Sequence, residues 1–237
     1  MHACADPPSE LVERAHAAGV DRILEVGAWP ENWQKVVDFC AAEEGVFPIL
    51  GIHPHRAADA DPAALAELQR LDSVAVGETG LDYYRDYAPG DLQRQLFQAQ
   101  LAIAEELGKA VVIHCRDADA DVARALGDFG GTVVLHCFSS LGLLGPALER
   151  DYYVSFAGNV TYPNADALRD AARQIPAERI LAETDSPYLS PQPQRGRPNE
   201  PANVVYTVAS LAETRGEDPD DLATQIDANA ARAFGLA

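Results

Sequence analysis

A chain of 237 residues in which 47% of side chains are hydrophobic has the length and apolar content to bury a substantial core, which excludes a disordered or low-complexity polypeptide. Its formal charge of −19, from 18 basic against 37 acidic residues, repels nucleic acid at long range and excludes a module that reads DNA through a basic face. No apolar stretch approaches the roughly 20 residues that span a bilayer, and no basic segment leads into an apolar one at the start, so neither a membrane span nor a secretion signal is expected.

Cys4, Cys40, Cys115 and Cys137 show no CxxC pair and no framework spacing. They read as reduced, mostly buried thiols in a cytoplasmic protein. Only Lys35 and Lys109 among the basic residues are lysines. An enzyme that holds phosphate through metal ions and a few local arginines remains compatible with such a surface.

In chain order, a helix "SELVERAHAAG" (9–19) precedes a strand "RILEV" (22–26). There follow a helix "NWQKVVDFCAAEE" (32–44), a strand "VFPILG" (46–51), a helix "PAALAELQRL" (62–71) and a strand "SVAVGE" (73–78). The helix "DLQRQLFQAQLAIAEELG" (91–108) carries an apolar stripe of Leu92, Leu96, Ala99 and Ile103, with Gly108 as its stop. Strands "AVVIH" (110–114), "TVVLHC" (132–137) and "YYVSF" (152–156) come next, then a helix "NADALRDAARQI" (164–175) and a strand "RILAET" (179–184). The proline-rich "SPYLSPQPQRGRPNEP" (186–201) reads as a long loop over a site. Helices "VVYTVASLAETRG" (204–216) and "DLATQIDANAARAFG" (221–235) close the chain.

The strands are short, apolar and β-branched throughout, the signature of a parallel sheet buried on both faces. Strand–helix alternation places helices outside that sheet. Seven strands over this length predict an α/β fold, a (β/α)8 TIM-type barrel whose first strand is missing or atypical, forming a single domain over residues 1–237. A doubly wound open sheet is the competing architecture, but the glycine-rich fingerprint after an early strand is absent.

Glu78, His114 and His136 end three of these strands, and Asp185 sits just past a fourth. In a barrel the carboxyl ends of the strands converge on one face, where catalytic groups gather. A single histidine there is more often structural, and a lone acid more often caps the next helix. Four metal-compatible residues at four strand ends instead indicate a metal site. Two imidazoles and two carboxylates suit Zn²⁺ or Mn²⁺, and phosphate oxygens would add Mg²⁺.

These segments resemble a known family. "GIHPH" (51–55), "VGETGLDYYR" (76–85), "VIHCRDA" (112–118), "LHCFSS" (135–140), "ETDSPYLSP" (183–191) and "RGRPNEP" (195–201) are similar, in order and over nearly the whole chain, to the TatD-type metal-dependent deoxyribonucleases, which have amidohydrolase-like barrels. The resemblance implies two divalent metal ions (Mg, Mn or Zn) bridged by Glu78. His114 and His136 would bind one of them and Asp185 the other. His53 and Arg116 would face the substrate phosphate, and Asp185 would also accept a proton from the attacking water. Arg197 and Asn199 would contact the nucleic-acid backbone or order the loop. Tyr83 and Tyr84 would stack on a base or pack over the barrel mouth. Cys115 and Cys137 follow histidines on strands and so are expected to point away from the site.

The family ends its first strand in an HxH pair that binds metal, whereas this chain begins "MHACADPPSELVERAHAAG". His2 is either the second histidine of that pair, the register that better keeps the spacing to helix 9–19, or the first, with Cys4 replacing the second. Either way one metal is short of a ligand, and a start assigned too far downstream is the simplest explanation. The function expected is a DNase that hydrolyses phosphodiester bonds by metal-activated water, acting on single-stranded DNA or 3′ ends, with no membrane or obligate protein partner. Two alternatives stay open: a hydrolase of another ester such as aminoacyl-tRNA, and a metal-binding barrel whose catalysis is impaired.

Overall fold

Seven apolar runs become seven parallel strands that lie side by side in chain order. They are β1 (Ile23–Gly27), β2 (Val46–Leu50), β3 (Ala75–Asp82), β4 (Ala110–Arg116), β5 (Val133–Leu135), β6 (Tyr153–Phe156) and β7 (Ile180–Ala182). The computed structural model describes Met1 and residues 4–236. Parallel neighbours require a crossover, and helices provide it. α1 (Pro8–Ala17) precedes the sheet, and α2 (Trp33–Ala42) to α7 (Asp166–Gln174) alternate with the strands. Between these lie α3 (Pro62–Leu68), α4 (Gly90–Leu107), α5 (Asp119–Ala125) and α6 (Leu144–Glu149). α8 (Val204–Arg215) and α9 (Pro219–Phe234) follow β7. No helix among the described residues is long and apolar enough to cross a membrane.

The architecture is the expected (β/α) barrel, with β1 and β7 unpaired to each other among the described residues. His2, expected at that seam, lies outside the described residues. α5 and α6 escape the sequence pattern because each is short and buries a single side chain, Val122 or Ala147, leaving no stripe to detect.

Side-chain alternation along the strands divides the apolar residues into two cores. Val76, Val111, Ile113, Val154 and Phe156 face outward against helix residues such as Trp33 and Phe97. Ile49, Ala75, Val112, Val134, Tyr153 and Leu181 fill the interior, and Phe234 of α9 packs against them. α9 docks at the amino-terminal strand ends, where Asn229 Nδ2 donates to the carbonyls of Ala177 at 2.7 Å and Ile180 at 2.8 Å.

α4 departs from its expected stripe. Leu96 and Ile103 are buried, but Leu92 and Ala99 are only half-buried, and Gln93 and Gln100 take the core positions. The helix is rotated because both glutamines are needed inside. Gln100 accepts from Ile52 N at 2.7 Å and donates to Ile52 O at 2.9 Å and Thr79 Oγ1 at 2.7 Å. Gln93 accepts from Asp82 N at 2.9 Å and donates to Asp82 O at 3.0 Å and Ala88 O at 2.9 Å. The two side chains brace the backbone at the mouth ends of β2 and β3. Gln100→Leu strands the buried Ile52 amide and carbonyl, so it should destabilise the protein by about 2–4 kcal/mol. Urea denaturation would read this as a lower midpoint at unchanged slope.

Candidate metal centre

β2 and β3 approach closely enough to bring their ends together. A Cβ on Gly51 would lie 2.6 Å from the Gly77 carbonyl carbon, so only glycine permits the approach. His53, buried just past β2, starts the 3₁₀ turn Pro54–Asp59, and its Nδ1 accepts from His55 N at 3.2 Å. The other ring nitrogen, Nε2, then lies 3.5 Å from Glu78 Oε1. Pairing of β3 with β4 slips between Gly77 and Thr79, which leaves Glu78 as the extra residue of a bulge, re-aimed into the mouth. Beyond it Gly80 sits at φ +138, where a Cβ would meet the His114 carbonyl oxygen at 2.0 Å.

Glu78 is the centre of the site. Its Oε1 lies 2.7 Å from His114 Nδ1 and 3.5 Å from His136 Nε2, in addition to His53. His136 Nε2 is 3.9 Å from Asp185 Oδ1, and its Nδ1 is 2.7 Å from Glu183 Oε1. Ligand atoms of His53, Glu78 and His114 lie within 4.8 Å of one another, as do those of His136, Cys137 and Glu183. The structure thus brings together four of the expected residues, Glu78, His114, His136 and Asp185, with His53 beside them.

The charges at this site act on one another strongly. Burial pushes the Glu78 carboxyl up, but the neighbouring His136 and the hydrogen-bonding His114 and His53 hold it well below the usual carboxylate range. Burial opposes protonation of His114, yet its bonds to Asp82 and Glu78 raise it to about 9. His136 is likewise held well above the ordinary imidazole value by Glu183 and Glu78, against the cost of burial. Asp185 goes the other way: burial raises its carboxyl to about 7, with His136 opposing and Glu183 and Glu78 adding to the rise.

Three participants were not foreseen. Asp82, 1% exposed, lies with Oδ2 at 2.7 Å from His55 Nε2 and 3.3 Å from His114 Nε2. Its Oδ1 accepts from the amides of Tyr84 at 3.0 Å and Arg85 at 2.9 Å. β3 was expected to stop at Glu78, and the bulge that carries it on to Asp82 has no sequence signature. Glu183 shares a face with Asp185, two residues on, and that spacing was the available signal. Cys137 corrects an expectation. β5 ends at Leu135, and Cys137 at φ +45 no longer follows strand alternation, so its thiol turns toward the His136–Glu183 pair. Burial pushes that thiol well above its ordinary pKa, which disfavours a nucleophilic role.

Tyrosines and arginines line the rim. Tyr83 is tied down, its hydroxyl donating to Asp121 Oδ2 at 2.7 Å and accepting from Arg94 Nη1 at 3.0 Å. Tyr84, 57% exposed, carries the Arg116 guanidinium 3.9 Å above its ring. Tyr87 packs edge-on against His55, with ring centroids 4.7 Å apart. Asn199 is buried and orders the loop after β7, donating to the carbonyls of Thr184 at 2.8 Å and Tyr188 at 2.7 Å. Arg197 stands exposed on that loop, and its carbonyl accepts from Ser190 Oγ at 2.6 Å.

The donor set fits divalent cations. Glu183 Oε1 is buried without a hydrogen-bond partner among the described residues, although His136 Nδ1 is close; the two are not aligned for a hydrogen bond. Imidazole nitrogens and carboxylate oxygens converging on one space, with this buried carboxylate oxygen left unpartnered, are the donor types that share a divalent cation.

Comparison with known proteins agrees with this chemistry. The family described as "TatD related DNase" matches residues 1–235. The chain is 39% identical to the "Uncharacterized metal-dependent hydrolase TatD" of Mycobacterium tuberculosis, covering 98% of this chain and 92% of the relative. It is 36% identical to the "3'-5' ssDNA/RNA exonuclease TatD" of Citrobacter rodentium, covering 96% and 91%. Among solved structures, the TatD homologue YjjV of Escherichia coli superposes with a TM-score of 0.91 at 29% identity, covering 98% of this chain and 95% of that one. The chain belongs to the TatD related DNase family, several of whose members are named as metal-dependent hydrolases.

Proposed function

We propose that this protein is a divalent-metal-dependent nuclease that removes nucleotides from the 3′ end of single-stranded DNA. The observation that carries the reading is one carboxylate, Glu78, approached by the imidazoles of His53, His114 and His136 from three further strand ends. The exonuclease names of relatives such as the Citrobacter rodentium protein support the choice of substrate.

Glu78, His114 and His136 would hold one cation, and Glu78 with Asp185 would hold a second, with His2 the candidate for a further ligand. Bound there, such ions supply Lewis acidity and a water ionised near neutral pH. The chain's own residues do the rest. Asp82 fixes the His114 ring, as carboxylates do for metal-binding histidines. Asp185, whose Oδ1 lies 3.9 Å from His136 Nε2 at the mouth, accepts the proton released as water attacks phosphorus. His53 and Arg116 bind the non-bridging oxygens, where negative charge develops. Tyr84, under Arg116, offers a flat face to a base, and such stacking suits a single strand.

The test is a nuclease assay on single- and double-stranded DNA with Mg²⁺, Mn²⁺ and Zn²⁺, using Glu78→Ala as control. Glu78→Ala and His136→Ala should each lower metal-dependent cleavage by on the order of a thousandfold, with far-UV circular dichroism unchanged; full activity in either variant would refute the assignment.

Asp82→Asn should cost about 10–100-fold in metal affinity or activity, because it weakens the hold on His114 without removing a ligand. Metal titration followed calorimetrically would show the loss directly.

Binding of a short single strand should depend weakly on salt, since Arg116 and Arg197 are the two cations assigned to phosphate. A log–log slope no steeper than about −2 is expected at ~0.7 per contacted phosphate. Tyr84→Ala should weaken binding by about 1–3 kcal/mol at every salt concentration.

A further inference from the structure

The opposite end of the barrel contains a second cleft. Lys109, Thr132, Tyr152 and Arg179 immediately precede β4, β5, β6 and β7, and all four line it. It therefore opens among the amino-terminal strand ends, away from Glu78 and its partners. Its volume of ≈ 550 Å³ is within the ~300–1,000 Å³ typical of small-ligand sites.

The local charge runs against that of the molecule. Lys109, Arg150 and Arg179 face this cleft against two acids, Glu105 and Asp151, in a chain with 37 acidic and 18 basic residues. Elsewhere arginines such as Arg14, Arg22, Arg56 and Arg169 are held by carboxylates at 2.5–2.9 Å. Here they are not. Lys109 Nζ donates to Ser73 Oγ at 3.1 Å, and Arg150 Nη2 to the Phe129 carbonyl at 3.4 Å. The nearest carboxylate oxygen to Arg179 Nε is that of Asp151, at 4.0 Å. That Nε is buried with no hydrogen-bond partner among the described residues, and Nη1 donates to the Glu178 carbonyl at 3.1 Å, so no carboxylate neutralises this guanidinium at hydrogen-bond distance. Gly130 lies on the wall with open space where a Cβ would stand, so a ligand reaches the backbone there.

We propose that this cleft binds a phosphomonoester anion. Two guanidinium groups and an ammonium facing one space match a tetrahedral dianion better than a single carboxylate, because arginine engages phosphate oxygens in pairs. The competing role for these cations is to steady the barrel floor, with no ligand.

The experiment is calorimetric titration of the full chain, with manganese present, using inorganic phosphate and, separately, deoxyadenosine monophosphate. It is run in Glu78→Ala, so that the metal centre is removed as a phosphate site, with and without Arg150→Gln or Arg179→Gln. Saturable binding in Glu78→Ala that weakens at least about tenfold with either cleft substitution is expected. Tighter binding of the nucleotide than of inorganic phosphate would assign the rest of the cleft to the nucleoside, and equal binding would assign recognition to the phosphate alone. No saturable binding in Glu78→Ala, or binding that the cleft substitutions leave unchanged, would overturn the proposal. Arg150 is exposed, so Arg150→Gln, or Arg150→Glu with its reversed charge, keeps the test decisive if Arg179→Gln fails to fold.

Discussion

Two buried glutamines on one helix fix the mouth of this barrel. Gln93 and Gln100 occupy positions where the outer core would take apolar side chains, and each bonds a strand end at both backbone groups. The requirement is electrostatic. Glu78, Asp82, Glu183 and Asp185 crowd one end of the sheet, so the backbone that carries these charges has to be held from behind. A neutral amide does this without adding charge. It also satisfies the amides and carbonyls of Ile52 and Asp82 at the mouth ends of β2 and β3. Without that brace, the approach of His53 to Glu78 would depend on the loop alone.

The site is consequently preorganised for cations before any arrives. Histidines held above their ordinary pKa and a glutamate held below it form an internally compensated cluster. A divalent ion held there would have to displace protons from the imidazoles, so metal affinity would carry a proton release with it. Asp185 stands apart in being pushed toward its neutral form, which separates its chemistry from that of Glu78 although both are carboxylates in one pocket. Meanwhile the formal charge of −19 makes the molecule strongly acidic as a whole, with Arg116 and Arg197 at the rim and Lys109, Arg150 and Arg179 around the far cleft.

Much of this was legible in the sequence, and the reasons are physical. A parallel sheet covered on both faces writes its strands as unbroken apolar runs, so all seven were visible, and residues such as Glu78 and His114 stood out where the runs broke. What stayed hidden depends on backbone detours. The β3 bulge moved Asp82 into the site, and the left-handed turn at Cys137 overrode alternation. The glutamines of α4 were unreadable as core residues, because periodicity looks for apolar side chains and these two are buried for their hydrogen bonds. Glu183 stands two residues before Asp185 at the same strand end, and only that spacing marks it.

The two cores of the barrel differ in how much chain each must gather. The outer one joins each strand to helices close by in sequence, so it forms piece by piece. The interior one runs from Ile49 to Phe234, and its floor is supplied by the last helix. On a chain emerging from the ribosome, the roughly 50 residues between Ala182 and Phe234 take about 3–10 s to make at ~5–20 residues per second. For that interval Val112, Val134, Tyr153 and Leu181 line an open apolar trough, and the nascent barrel is then most exposed to aggregation.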